Sequence, residues 1–367
     1  MDWADHPQHQ RIKIAMTYDP TTDDRLDARN RAFLAGLEAP LLAREGNVAS
    51  REEALAAYTT PEALAAEAAM AELVAALDNE DIVPSAGLKF ETVSVTSEPD
   101  GNSIKLQIIR PDGDAILPCV YYIHGGGMAV LSAFDANYRA WGKTIAHQGL
   151  CVVMVDFRNS LRPSSAPEVA PYPAGLNDCV SGFKWVVQNA ARLGVDPDQI
   201  MVAGESGGGN LSIATTMRLT TEADAPRPVG LYALCPFILG SWPAASCPSS
   251  SENEGILIGV ANNHLTMGYG IEALVAEDPM AWPGFAREED VAAFPPTMVN
   301  VNECDPLRDE GIAFYRLLQR AGVLSQCRQT MGTVHANELL GIFMPDIARS
   351  TARDMAGWLQ ECLLAAS

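Results

Sequence analysis

Basic residues are scarce in this chain: 25 Lys and Arg stand against 46 Asp and Glu, a formal net charge of −21 at pH 7. That balance disfavours nucleic acid, anionic membranes and polyanionic substrates, and says nothing about fold. No uninterrupted apolar stretch is long enough to cross a bilayer, so no membrane partner is expected. The first residues, Met1-Asp2-Trp3-Ala4-Asp5-His6-Pro7, lack the basic start and apolar run of a secretory signal, and a soluble cytoplasmic protein is the expectation. None of the eight cysteines belongs to a C-x-x-C pair, which removes support for a zinc site or a dithiol redox motif; no metal is expected. They lie in apolar runs such as Pro118-Cys119-Val120, Leu150-Cys151-Val152 and Leu234-Cys235, as small buried thiols in a reducing compartment do. The one glycine cluster that follows an apolar run and opens a helical pattern, Gly204 to Gly209, is not followed by Lys-Ser or Lys-Thr, which argues against a Walker phosphate loop.

What is present is a globular composition, 48% hydrophobic and 19% charged over 367 residues, enough for an α/β domain with an added cap. Thr22 to about Asn79 is rich in Ala, Glu, Leu and Arg. The pieces Asp24 to Glu38, Ser50 to Tyr58 and Pro61 to Leu77 each open on a helix-start residue. From Leu88 the period changes: Phe90 to Val95 alternates apolar with polar, and Ile104 to Ile108 follows the turn at Asp100-Gly101, which predicts an antiparallel pair. Short, wholly apolar runs come next, at Cys119 to Ile123, Cys151 to Val155, Ile200 to Ala203, Val229 to Leu234 and Thr297 to Val301. Helical stretches lie between most of them, including Asn137 to Gln148, Cys179 to Leu193 and Leu211 to Leu219. This alternation predicts a mostly parallel sheet covered on both faces, with functional groups at the carboxyl ends of its strands. Gly240 to Pro296, with its prolines, triple serine and scattered aromatics, breaks the rhythm and reads as an insertion, partly helical around Ile271 to Glu277.

Met201-Val202-Ala203-Gly204-Glu205-Ser206-Gly207-Gly208-Gly209-Asn210 is the stretch the rest serves. A buried strand runs into a glycine-crowded turn and then a helix, the G-x-S-x-G pattern of a nucleophile elbow. The pattern alone is weak evidence, since a tight βα connection also explains it. Two further stretches strengthen it. His124-Gly125-Gly126-Gly127 follows a strand and leaves bare amides able to face a developing oxyanion. Asp305 stands after the strand Met298 to Val301, in Asn302-Glu303-Cys304-Asp305-Pro306-Leu307-Arg308-Asp309-Glu310-Gly311, suited to orient a histidine; Glu303 is its rival, while Asp309 and Glu310 fall in a first helical turn. His335, past the strand Gln326 to Thr330, is the one histidine after Asp305. Ser206, Asp305 and His335 then follow the order Ser, Asp, His of an α/β-hydrolase, with Gly126, Gly127 and Gly207 supplying oxyanion donors.

Together these motifs resemble the hormone-sensitive-lipase-like (family IV) bacterial carboxylesterases of the α/β-hydrolase superfamily. Phe157-Arg158-Asn159 and Tyr172-Pro173-Ala174-Gly175-Leu176-Asn177-Asp178-Cys179 add to the likeness, nearest the brefeldin A esterase-type branch. The resemblance spans roughly Phe90 to the C-terminus. It implies an eight-stranded sheet, no cofactor, and a helical cap made of the N-terminal segment (1–85) and part of the insertion (240–285), with the hydrolase core at 86–239 and 286–367. It also implies a possible homodimer through an edge strand and a last helix over Ile347 to Leu364. Two departures stand out: Glu205 and Gly207 occupy positions where the family often has Asp and Ala, and His335-Ala336-Asn337 replaces a usual His-Gly-Phe.

The expected function is hydrolysis of small carboxylic esters, of short to medium acyl chain because no long amphipathic lid is visible. Met128, Trp242, Met267, Tyr269, Trp282 and Phe285 are candidates to line the pocket, although aromatics at irregular spacing are also what a plain core contains. The same groups serve amides, carbamates or lactones. A ligand-binding protein on the same fold is the alternative from another class; plant gibberellin receptors resemble the family but lack the catalytic histidine, which this chain keeps.

Overall fold

The computed structural model describes residues 18–37, 41 and 46–366, so Glu38 of the first expected helix lies outside the described residues. Near the N-terminus, helix α1 (Ala28–Ala35) is capped by the Asp27 carboxylate on the Arg29 N–H, and α2 (Arg51–Ala57) by Ser50 on the Glu53 N–H. Pro61 opens α3 (Pro61–Ala75), where its missing N–H costs nothing.

The sheet begins with β1 (Leu88–Thr96) and β2 (Ser103–Pro111), an antiparallel pair with Phe90 opposite Ile109 and Val95 opposite Ile104. Then follow β3 (Leu117–Ile123), α4 (Ala136–Ala146), β4 (Cys151–Asp156), α5 (Ala174–Gln188), α6 (Ala190–Leu193), β5 (Val195–Glu205), α7 (Gly207–Thr221) and β6 (Gly230–Leu234). After the insertion, which carries α8 (Ser249–Glu252), α9 (His264–Tyr269), α10 (Ile271–Val275) and α11 (Glu288–Val291), come β7 (Thr297–Cys304), α12 (Arg308–Arg320), β8 (Ser325–Val334) and α13 (Pro345–Ala366). The eight strands lie in the order β1-β2-β4-β3-β5-β6-β7-β8. β2 runs antiparallel to both its neighbours, and every later pair is parallel.

Adjacent residues of one strand feed opposite cores, as a sheet buried on both faces requires. Tyr121 and Val202 pack with Phe183 of α5, Leu211 of α7 and Leu318 of α12 on one side. Tyr122 and Met201 pack with Trp141 of α4 and Met355 and Trp358 of α13 on the other. All eight cysteines are free, and only Cys327 is less than fully buried. Among the described residues no helix is long and apolar enough to cross a membrane.

Several boundaries differ from the sequence expectation: α1 starts at Ala28 rather than Asp24, β5 at Val195 rather than Ile200, and β8 runs to Val334 rather than Thr330. Helix α7 starts at Gly207 rather than Leu211, and α5 at Ala174 rather than Cys179. Low glycine helix propensity argues against helix at Gly207 to Gly209, but these glycines are there for space. A Cβ on Gly208 would lie 2.0 Å from the Ile123 carbonyl oxygen, and one on Gly209 would lie 2.9 Å from that of Leu234.

The N-terminal segment and the insertion hold each other. Leu41 pairs with the backbone of Leu257 and Gly259, the Asn263 side chain exchanges two hydrogen bonds with the Val48 backbone, and Arg51 donates to the carbonyls of Ser160 and Gly268. A buried carboxylate fastens the start of the insertion to α12. Glu310 accepts from the Ile238 N–H (2.6 Å), the Leu239 N–H (3.4 Å) and the Trp242 indole N–H (2.6 Å). Burial pushes its carboxyl up to about 8 against the pull of these donors.

A value raised above the ordinary 4.5 means the fold favours the neutral form; that stability is full below the ordinary value and is lost as pH rises through about 8. Glu310→Gln leaves one of the two short bonds as donor facing donor, and is expected to cost roughly 1–3 kcal/mol near pH 5. The gap should narrow toward about pH 9, where only the wild type must ionise a buried carboxyl; urea unfolding of both proteins across that range measures it.

Candidate active site

β5 ends at Glu205 and α7 begins at Gly207, leaving Ser206 alone on the turn between them with φ 56° and ψ −121°. A non-glycine residue holds that conformation only when its surroundings enforce it. Here the Ser206 N–H donates to the Leu234 carbonyl (3.0 Å), and its own carbonyl accepts from the N–H groups of Asn210 and Phe237 (3.0 Å each). The bend is possible because Gly204 has no side chain: a Cβ there would meet the Gly208 and Ile123 carbonyl oxygens at 2.5 Å.

The glycine loop leaves β3 beside this turn. Gly126 (φ 87°), Gly127 (φ 61°) and Met128 (φ 58°) are consecutive left-handed residues, and the N–H groups of Gly126 and Gly127 find no acceptor among the described residues. Gly207 is pressed against them, since a Cβ on it would stand 2.7 Å from the Gly127 nitrogen. Its N–H belongs to the first turn of α7, where helix amides lack intrahelical partners. Bare amides therefore gather beside Ser206.

Glu205 joins loop and turn. It is fully buried; one oxygen accepts from the Gly125 N–H (2.7 Å) and the Tyr138 hydroxyl (2.6 Å), the other from the Tyr122 hydroxyl (2.6 Å). Burial pushes its carboxyl up to about 7 against these hydrogen bonds. His124 takes no part in this network. Its ring stacks on Phe157 with centroids 4.2 Å apart, and burial lowers its pKa against the raising effect of Asp156.

On the same rim, Asp305 follows β7 and His335 follows β8. Asp305 is fully buried, with one oxygen accepting from the Leu307 N–H (2.8 Å) and the other 2.8 Å from His335 Nδ1. Burial alone would lower the imidazole's pKa, but the Asp305 charge and hydrogen bond outweigh it and hold it above its ordinary value. The rival carboxylate, Glu303, is spent on the Gly332 N–H (2.7 Å). Asn337, where the family usually has Phe, accepts from the Val334 N–H and the Asn30 side chain, pinning the end of β8 to α1. Ser206 and His335 make no direct hydrogen bond among the described residues; such bonds commonly tighten only around substrate.

The pocket candidates are mostly packing residues. Trp242 stacks on Phe237 (4.1 Å) with its N–H on Glu310, and the fully buried Trp282 meets Tyr269 edge-on (5.5 Å) with its N–H on the Gly270 carbonyl. Met128 and Met267 are buried, and the half-buried Phe285 lies beside Glu277, Pro279 and Arg287 in a surface hollow. Leu265 of α9 lies over the glycine loop, where its methyl would be 2.6 Å from a Cβ on Gly127. Arg158 clamps the Asp178 carboxylate with two side-chain bonds of 2.9 Å and reaches Asp100 at 2.7 Å, giving the two accessory motifs a structural use.

An eight-stranded sheet of this order, with a strained serine turn beside bare amides and an Asp–His pair on the same rim, defines an α/β-hydrolase. Residues 120–339 match the family model described as alpha/beta hydrolase fold. Carboxylesterase NlhH of Mycobacterium tuberculosis is 34% identical over 245 residues, covering 65% of this chain and 72% of that protein. Esterase Est22 superimposes with a TM-score of 0.90 at 55% identity, covering 94% of this chain and 99% of that one, and has also been solved with p-nitrophenol. Brefeldin A esterase, described as a bacterial homologue of human hormone sensitive lipase, superimposes with a TM-score of 0.82 at 35% identity over 94% of this chain and 96% of that one. The chain belongs to the hormone-sensitive-lipase-like, family IV carboxylesterases.

Sequence reasoning missed Glu205 as a structural tie. Glu205→Ala removes the acceptor of the Gly125 amide and is expected to lower kcat on a small aryl ester on the order of 10- to 100-fold, with KM changing less. Glu205→Gln keeps an acceptor oxygen there and should restore most of the loss. Steady-state kinetics of both variants check this.

Proposed function

We propose that this carboxylic ester hydrolase works through an acyl-enzyme formed on Ser206. The Ser206 Oγ–carbonyl bond forms while His335 takes the hydroxyl proton. The amides of Gly126, Gly127 and Gly207 then receive the negative charge on the carbonyl oxygen. Collapse breaks the bond to the alcohol, which leaves with the proton returned by His335. A water molecule repeats the sequence to release the acid and regenerate the serine. Asp305 holds the imidazole in the required tautomer and stabilises its charged form; the 2.8 Å bond between Asp305 and His335 is the observation that carries this reading.

We assign the described residues of 18–85, with 240–285, to a cap over the site; the rest of the expected 1–85 segment lies outside the described residues. The contacts of α2 with α9's surroundings, and Leu265 against the glycine loop, support it. A cap built of short helices and large buried aromatics favours short to medium acyl chains. The last strand, β8, exposes Met331 on the sheet's outer edge, which suits pairing of two copies there.

Ser206→Ala should abolish turnover of an aryl ester such as p-nitrophenyl acetate, and Asp305→Asn should lower kcat by about 10⁴-fold. Wild-type rates should fall beyond medium acyl length in a panel varied in acyl and alcohol size. Equal turnover by wild type and Ser206→Ala would favour a binding protein instead; rates rising steadily to long-chain emulsions would refute the chain-length reading.

A further inference from the structure

Behind the Asp305–His335 pair stands a third group that the hydrolytic mechanism does not use. Cys235 follows β6, and its thiol, a carboxylate oxygen of Asp305 and a ring nitrogen of His335 all lie within 4.8 Å of one another. β6, β7 and β8 are neighbouring parallel strands, so their carboxyl ends deliver the three side chains to one place. Cys235 is held there by its N–H on the Asn300 carbonyl (2.7 Å) and by a left-handed backbone, φ 32°. All three residues are buried, Cys235 and Asp305 completely.

We propose that Cys235, Asp305 and His335 form a binding site for a thiophilic divalent cation such as zinc or cadmium, and that its occupation switches the esterase off. Sulfur, nitrogen and carboxylate oxygen are the donor set such ions take, with bonds of about 2.0–2.3 Å; a tetrahedral ion needs its donors about 3.4 Å apart, so at Nδ1 the Asp305–His335 contact, now 2.8 Å, has to open by about half an ångström. The surroundings are negative: burial first, then the carboxyl groups of Asp305, Glu338 and Glu205, push the Cys235 thiol up, and a cation bound there offsets that charge. Glu338 is itself buried beside His335, and the chain as a whole is strongly acidic. Binding releases the thiol proton to solvent as the sulfur–metal bond forms.

Inhibition follows whichever ring nitrogen takes the metal. At Nδ1 the ion takes the lone pair of the nitrogen facing Asp305, the ring proton shifts by way of solvent to Nε2, and that nitrogen no longer accepts the Ser206 proton. At Nε2 it occupies the lone pair that receives the Ser206 proton. This inhibitory half rests on the proposed triad, whereas the binding half does not.

The test titrates cadmium into the metal-free protein, reading the ultraviolet thiolate-to-cadmium charge-transfer band and ester hydrolysis together. Each variant is normalised to its own cadmium-free rate. The wild type and Cys327→Ser, which lacks the one incompletely buried thiol, should bind one ion per chain and lose activity at least tenfold, with chelator restoring it. Cys235→Ser should lose both the band and the inhibition, and Cys235→Ala gives the same reading should serine disturb the fold. A wild type without the band, or a Cys235 variant inhibited to the same degree, overturns the proposal. Ser206→Ala should keep the band in full, so a failure of the hydrolytic reading remains distinguishable from a failure of the metal site.

Discussion

Where β3 and β5 leave the sheet, their backbones approach too closely for any side chain at three glycines of the turn and helix start. Gly204, Gly207 and Gly208 each stand where a Cβ would fall within 2.7 Å of backbone atoms, most of them in the residues 123–128 that carry the glycine loop. That steric constraint brings the loop's unpaired amides against the turn at Ser206, and packing across β3 and β5 maintains it. If the two backbones moved apart by the width of a methyl group, the amides would no longer stand beside Ser206 as the proposed mechanism requires. Glu205 supplies the attractive half of the same arrangement: the residue before Ser206 accepts from the amide of the first loop glycine and from two tyrosine hydroxyls, so the serine turn and the glycine loop are positioned as one body.

Buried acids recur as fasteners. Glu205 ties loop to turn, Glu310 ties the insertion to α12, Asp178 receives Arg158, and Asp305 orients His335. Each gathers several N–H or O–H donors, which is what makes a buried carboxylate tolerable. Where that compensation is incomplete, burial raises the pKa, as at Glu205 and Glu310. The strongly acidic composition therefore describes part of the interior as well as the surface.

The fold was largely legible because its signals are local. Short apolar runs separated by amphipathic stretches mark parallel strands, and the alternation at Phe90 to Val95 marks the antiparallel pair. Glycine clusters and chain order carry chemistry at fixed spacing, which is why the sequence offered Ser206, Asp305 and His335 with Glu303 as the lesser rival to Asp305; in the structure the Gly332 amide claims Glu303. What stayed hidden depends on tertiary approach. Glycine at Gly207 to Gly209 reads as a loop until the crowding that demands it is visible. Glu205 read only as a departure from the family's usual Asp and Glu310 only as an acid of a first helical turn, since a one-dimensional pattern does not reveal which carboxylate is enclosed. Cys235 has no ligand spacing because its partners come from two other strand ends.

Hydrolysis through an acyl-enzyme requires that His335 make Ser206 nucleophilic. The most direct measurement is the rate and position of covalent labelling by a fluorophosphonate, read by peptide mass spectrometry in wild type and in His335→Ala. The account predicts a single adduct on Ser206 in the wild type, forming orders of magnitude more slowly in His335→Ala. Labelling elsewhere, or at the same rate in both proteins, would contradict it.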